Sequence, residues 1–302
     1  MDSSSRIVSP AGMPRGLGNP ARRKEKYRQQ ATVGAMEQDQ TIKLLSGNAM
    51  PVFGLGTWLL NLDTAGTVAH ALEIGYRLID TSSDYGSQPG IGAAIRESGI
   101  PREDIYLVTK VEENDDAYRR TVSNLAELGL DRADMMLIHR PPIRGAGEDL
   151  WEGLIRAQNE GLTRDIGVSN YSSELIEMLI AASGVTPAVN QIEWSPFGRS
   201  QYMQAYRREK GIVIMAYSPL TRTRRLTDGT LLQIAGRYHK SAAQILIRWS
   251  IQSGNVVIPK ANQWQHLEEN IDVFDFEIDA ADMRRLDSLD ERYSALGSLP
   301  YI

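Results

Sequence analysis

From Met50 onward the chain repeats one unit: a stretch with helical spacing, a glycine, a short linker and a run of apolar residues. Gly75, Gly99, Gly129, Gly161, Gly184, Gly211 and Gly254 mark the joints. Each stands where a helix C-terminus calls for a left-handed residue. The helical stretches carry their own signals. Val122, Leu125 and Leu128 are spaced i, i+3, i+6, and Ser241 with Gln244 makes a capping box ahead of AQILIRW. The apolar runs, such as IYLV, MMLI and IVIMA, are hydrophobic at successive positions, which suits parallel strands covered on both faces. Seven runs follow helices and one more, in VFGLGTW, precedes the first, so the count reaches eight. Eight parallel strands joined by helices predict an α/β chain closed into a (β/α)8 TIM barrel. An open doubly wound sheet is the competing arrangement, but its dinucleotide fingerprint is incomplete. Gly90-Ile91-Gly92 and Gly54-Leu55-Gly56 both lack the third glycine.

Ahead of the barrel, TIKLLSGNAMPV reads as a β-hairpin turning at Ser46-Gly47-Asn48, placed to plug the barrel floor. After Asp287 only a short C-terminal tail remains. The barrel domain is therefore assigned to residues 41–302. Residues 1–40 are rich in Ser, Pro, Gly and basic side chains, the composition of a disordered N-terminal extension. Three origins fit that extension: a simple tail, an over-long start with Met36 as initiator, or an Arg-rich organelle-targeting segment.

Composition narrows the function. The chain has 302 residues and no cysteine, so thiolate nucleophiles, disulfides and Cys-ligated metals are out. Its formal net charge of −5 opposes general nucleic-acid binding, which needs a basic excess. No run approaches the roughly 18 apolar residues of a membrane span. The expectation is a soluble cytoplasmic monomer acting on a small molecule. His70, His139, His239 and His266 lack the H-E-x-x-H spacing, and Gly167-Val168-Ser169-Asn170-Tyr171 lacks the closing glycine of a nucleophile elbow. No metal site and no serine hydrolase are expected.

Barrel enzymes carry their reactive groups at the C-terminal ends of the strands. Three apolar runs end alike, RLID in Asp80, YLVTK in Lys110 and MMLIH in His139, and Tyr85 follows in the loop TSSDYG. Any one of these alone reads as a solvated rim residue; four together form a constellation. A lysine ammonium beside a phenol lowers its pKa, and a carboxylate holds that lysine charged. Tyr85 is then a proton donor, and His139 is placed to hydrogen-bond a substrate oxygen.

The segments GYRLIDTSSDYG, YLVTK, MMLIHRP, RDIGVSN, VNQIE, AYSPL and VIPK follow one another in the order and spacing of the aldo-keto reductase superfamily, which the chain resembles from about Thr41 to Ile302. The resemblance implies a catalytic tetrad of Asp80, Tyr85, Lys110 and His139. It also implies an NADPH-dependent reduction of aldehydes and ketones, with NADH as a possible substitute. On the same footing, Ser169, Asn170 and Gln191 would hold the nicotinamide carboxamide and Tyr217 would stack under the ring. Thr57, Ser218 and Leu220 would line the cofactor path, with Lys260, Asn262, His266, Glu269 and Asn270 around the adenosine and its 2′-phosphate.

The chain departs from the family pattern in places. Ser87-Gln88 replace the usual Asn-Glu, and Ala261 replaces a serine. His266 stands where NADPH-preferring members place an arginine, which should weaken phosphate recognition. At the substrate side Trp58 remains, whereas Glu112 and Arg140 take positions often held by tryptophan, implying a more polar and open mouth. Glu112 and Arg140 are expected either to pair with each other or to leave Arg140 free as a fork for a substrate carboxylate. Two other functions fit the same residues: an aldolase using Lys110 as a Schiff-base amine, and a non-catalytic NADPH-binding interaction or regulatory protein on the same barrel.

Overall fold

Eight parallel strands follow one another around a single sheet in chain order: β3 (Leu55–Gly56), β4 (Leu78–Asp80), β5 (Tyr106–Val111), β6 (Ala133–Ile138), β7 (Thr163–Ser169), β8 (Val189–Glu193), β9 (Val213–Tyr217) and β10 (Val256–Val257). The sheet closes on itself: Phe53 bridges Val257 in parallel, Gly54 N donates to Val257 O at 2.9 Å, and Val257 N donates to Val52 O at 2.9 Å. The structure is a computed structural model that describes residues 40–60 and 63–302. The expected N-terminal extension therefore lies, but for Gln40, outside the described residues.

Helices α1 (Thr64–Glu73), α2 (Gln88–Glu97), α3 (Ala117–Leu128), α4 (Glu148–Asn159), α5 (Ser173–Ser183) and α6 (Gln201–Lys210) alternate with β3 to β9. Two helices, α7 (Gly229–Tyr238) and α8 (Ala242–Gln252), stand between β9 and β10, and α9 (Trp264–Ile271) and α10 (Ala280–Asp287) follow. All seven joint glycines take positive φ, and Gly129, Gly184 and Gly211 are the left-handed caps of α3, α5 and α6. The Ser241–Gln244 capping box opens α8 as the sequence implies. Gly92 of the incomplete GxG pattern has a packing role instead: a Cβ there would lie 1.8 Å from the Leu128 carbonyl oxygen, so α2 and α3 meet only over glycine.

The apolar core has two parts. The larger fills the space between sheet and helices. The smaller fills the barrel and is capped by Leu44 and Met50, which flank the turn of the hairpin β1 (Thr41–Lys43) and β2 (Ala49–Pro51). Side chains alternate along a strand, so every second residue points into the barrel. The inward series are Tyr106, Val108 and then Lys110 on β5; Met135, Leu137 and then His139 after β6; Leu78 and then Asp80 on β4. Each titratable group is the next inward position above an apolar column. The alternation of the strands thus carries Asp80, Lys110 and His139 to one end of the barrel.

Candidate active site

Lys110 is wholly buried, and its ammonium donates to Asp80 Oδ1 at 2.9 Å, to Asp80 Oδ2 at 3.0 Å and to Thr81 O at 2.7 Å. All three N–H donors are thereby engaged, and no lone pair is free for a Schiff base. Tyr85 closes a 3₁₀ turn over Ser83–Tyr85, ended by left-handed Gly86, and its ring lies 5.0 Å from Lys110 Nζ. Burial, reinforced by the charges of Asp80, Asp84 and Glu112 and only partly offset by Arg140, pushes the phenol well above its ordinary pKa. This reverses the expectation that Lys110 lowers it, because burial of the phenol dominates and the Asp80 charge beside the lysine raises it further. The phenol is consequently held protonated.

A polar layer braces the tetrad from behind. Gln88 accepts from Thr109 Oγ1 at 2.7 Å and donates to Glu127 at 2.7 Å, and Ser87 Oγ lies 3.0 Å from Thr81 Oγ1. The departures Ser87 and Gln88 therefore serve the support of the site. Thr57 Oγ1 donates to the Asp80 carbonyl at 2.8 Å from a fully buried position.

On the other side, His139 Nε2 lies 3.5 Å from the Tyr85 hydroxyl, while Nδ1 faces Glu112 at 2.8 and 2.9 Å from its two oxygens. Glu112 also accepts from Ser82 Oγ at 2.8 Å and from Arg140 Nη2 at 3.1 Å. Burial works to raise this carboxyl, but the hydrogen bond and charge of His139, with Ser82 and Arg140, outweigh it and hold Glu112 at about 2. Arg140 reaches Asp84 at 3.3 Å and Glu113 at 3.5 Å as well. Asp84, Glu112 and His139 converge closely enough to share a cation, and the guanidinium of Arg140 bridges the two carboxylates.

Asp80, Asp84, Tyr85, His139 and Arg140 line a groove of about 700 Å³ at the barrel mouth. Ser169, Asn170, Gln191 and Tyr217 line it as well. They are tied together: Gln191 Nε2 donates to Asp80 Oδ1 at 2.6 Å, the Tyr217 hydroxyl donates to Asn170 Oδ1 at 2.7 Å, and Asn170 Nδ2 donates to the His139 carbonyl at 3.1 Å. Ser218, Leu220, Lys260, Asn262 and His266 belong to the same wall. Trp58 and Arg140 stand at the rim. Glu269 and Asn270 do not line the groove, nor do Thr57, Lys110 and Glu112, which act from behind it. The sequence reading missed Arg222, whose guanidinium lies 4.4 Å above the Trp58 ring, and Leu296, brought to the groove by the tail. The tail itself is pinned by buried Glu193, which accepts from Ala295 N at 2.7 Å and Ser294 Oγ at 2.6 Å.

A groove of this volume has room for a large ligand, and its lining brings amide and hydroxyl groups beside the ring of Tyr217 into one wall with Lys260. A sequence profile of the Aldo/keto reductase family matches residues 53–291. An aldo-keto reductase of Mycolicibacterium vanbaalenii is 42% identical over 257 residues, 83% of this chain and 92% of that protein. Among solved structures, an aldo/keto reductase from Brucella melitensis superposes with a TM-score of 0.79 at 40% identity, covering 83% of this chain and 99% of its own. A Bombyx mori aldo-keto reductase in complex with NADP gives 0.80 at 32% identity, over 85% and 95% of the two chains. The chain belongs to the aldo/keto reductase family and is an oxidoreductase of that family. No helix among the described residues is long and apolar enough to cross a membrane.

Proposed function

We propose that the chain reduces aldehydes and ketones to alcohols with NADPH, using Tyr85 as the general acid. The observation that carries this reading is the meeting of a protonated phenol, a buried Lys110–Asp80 pair and His139 at the mouth of one long groove. The bound nicotinamide cofactor supplies the hydride. Tyr85 holds its proton until negative charge develops on the carbonyl oxygen, then gives it up, and the buried ammonium 5.0 Å behind the ring stabilises the phenolate left behind. His139 orients the carbonyl oxygen from the opposite side. The face of Tyr217 and the amides of Asn170 and Gln191 would hold the nicotinamide end in one orientation, and Lys260 with Asn262 and His266 would take the adenosine phosphate end. The NADP complex of the Bombyx mori relative supports that assignment of the cofactor.

The direct test follows NADPH consumption with a panel of aldehydes, ketones and keto acids, beside Tyr85→Phe. Turnover by the wild type and its loss in the variant are expected. NADPH binding without turnover on any carbonyl would favour a regulatory cofactor-binding protein instead.

A further inference from the structure

The segment 218–228 that leaves β9 lines the groove through Ser218, Leu220, Arg222 and Thr223, and the C-terminal tail reaches the same groove through Leu296. Ser218, Thr221, Arg222 and Thr223 all take positive φ, a backbone course that such residues keep only where their neighbours hold it. One hold is Arg222 over the Trp58 ring. The other is Arg225, whose backbone N donates to Thr221 Oγ1 at 3.2 Å.

The guanidinium carbon of Arg225 lies 4.8 Å from the Phe197 ring centre and 5.1 Å from that of Tyr293, and its Nη2 pairs with the Glu291 carboxylate. Phe197 stands in the loop after β8, whereas Glu291 and Tyr293 belong to the tail. That loop and the tail are already fixed to each other. The backbone N–H groups of Glu291 and Tyr293 both donate to Phe197 O at 3.0 Å, and a Cβ on Gly198 would stand 1.8 Å from the Tyr293 carbonyl oxygen. Among the described residues no other hydrogen bond, ion pair or ring contact joins the segment 218–228 to the tail. The place suits an arginine: a planar guanidinium lies against two rings while its fork meets a carboxylate, which the point charge of a lysine cannot do. Its Nε is buried without an acceptor, so the ring faces balance that side of the cation.

We infer that Arg225 is a positioning residue that locks the segment 218–228 and the tail into one wall, so that the surfaces offered to cofactor and carbonyl are set together. The inference rests on the carbonyl-reductase reading for the roles of those surfaces. Arg225 does not itself line the groove, and it acts through Leu220 and Arg222 on one side and Leu296 on the other. Loss of this joint lets the positive-φ turn relax and frees the tail in the same event.

The test is Arg225→Met, which keeps an apolar stem between the rings and removes the fork, beside Glu291→Gln, a change at a half-exposed carboxylate. NADPH affinity is read by fluorescence titration, and kcat and KM by turnover of a carbonyl that the wild type accepts. Arg225→Met should weaken NADPH binding and raise the carbonyl KM, each about three- to tenfold, as expected for losing a bond between charged groups. Its kcat should stay within about twofold, because the tetrad is untouched. Glu291→Gln lies on the tail, yet it should weaken NADPH as well as the carbonyl, and added to Arg225→Met it should change little further. A Glu291→Gln that alters the carbonyl KM alone shows two independent loops and overturns the inference. So do effects of the two variants that simply multiply, or an Arg225→Met that leaves both affinities unchanged. Failure of the underlying reading is separate: a wild type that binds NADPH and reduces no carbonyl refutes the reductase assignment, while the NADPH titrations of both variants still decide the joint.

Discussion

Lys110 Nζ sits within 3.0 Å of both carboxylate oxygens of Asp80, and the Tyr85 ring lies over this pair. The pair and the phenol should therefore fail differently. Tyr85→Phe removes the acid and keeps the ring, so stability and NADPH affinity hold while turnover falls roughly 10²–10⁴-fold. Lys110→Met instead strands a buried carboxylate, and should cost about 3–5 kcal/mol of stability as well as activity. Thermal melts run beside NADPH turnover separate the two. Retention of more than about a tenth of turnover in Tyr85→Phe would refute the acid role.

Cofactor choice should turn on His266, which lines the same groove as Lys260. With a lysine and a histidine in place of an arginine, NADPH should be preferred over NADH by a modest margin only. His266→Arg supplies a permanent fork of donors and should tighten NADPH binding by about 1 kcal/mol or more while leaving NADH nearly unchanged. Fluorescence titration with both cofactors reads this out, and equal tightening of the two would remove His266 from the phosphate site.

Arg140 shares its charge among Asp84, Glu112 and Glu113, so the free fork for a substrate carboxylate, one of the two expectations from sequence, is taken up by the protein itself. The wild type should consequently show no advantage for an acidic aldehyde over a neutral one of equal size. Arg140→Gln leaves the three carboxylates unbalanced, and kcat/KM for acidic aldehydes should fall several-fold more than for neutral ones at low salt. Raising the ionic strength should narrow that gap. A large preference of the wild type for acidic aldehydes would contradict this account.

Glu112 also links the site to acid stability. Its carboxyl is held at about 2 in the folded chain against an ordinary 4.5, so the contribution is present above that ordinary value and is lost as pH falls toward 2. Wild type and Glu112→Gln, unfolded in denaturant at a series of pH values, should converge in stability across this window by at most about 3 kcal/mol. A constant difference between them would show that the carboxyl is not depressed.

Much of this was legible before any coordinates. Seven glycines and eight apolar runs led to the barrel because each joint has a strong local cause. Asp80, Lys110 and His139 stood out because each ends an apolar run. What escaped were relationships between strand ends. Glu112 and His139 are far apart in sequence and meet only because β5 and β6 lie side by side, so no spacing announces their bond. Arg222 lies in a segment where Thr221, Arg222 and Thr223 all take positive φ, a backbone course their side chains do not signal. The direction of the Tyr85 shift differs from the expectation because burial, which the sequence around Tyr85 does not signal, outweighs the neighbouring lysine. Glu269 and Asn270 rest on the resemblance alone; neither lines the groove, and Asn270 is buried on α9.

The seam at Phe53 and Val257 joins positions roughly 200 residues apart. At ribosomal speeds of about 5–20 residues per second, the first strand emerges on the order of ten to forty seconds before the last one exists. During that interval the growing sheet has an unpaired edge at Phe53, with apolar residues on both faces of the strands already made. Production of this protein in a foreign host should therefore be limited by what happens to the nascent chain in that interval, and ample chaperone to cover the open edge should raise the soluble yield more than any change at the active site.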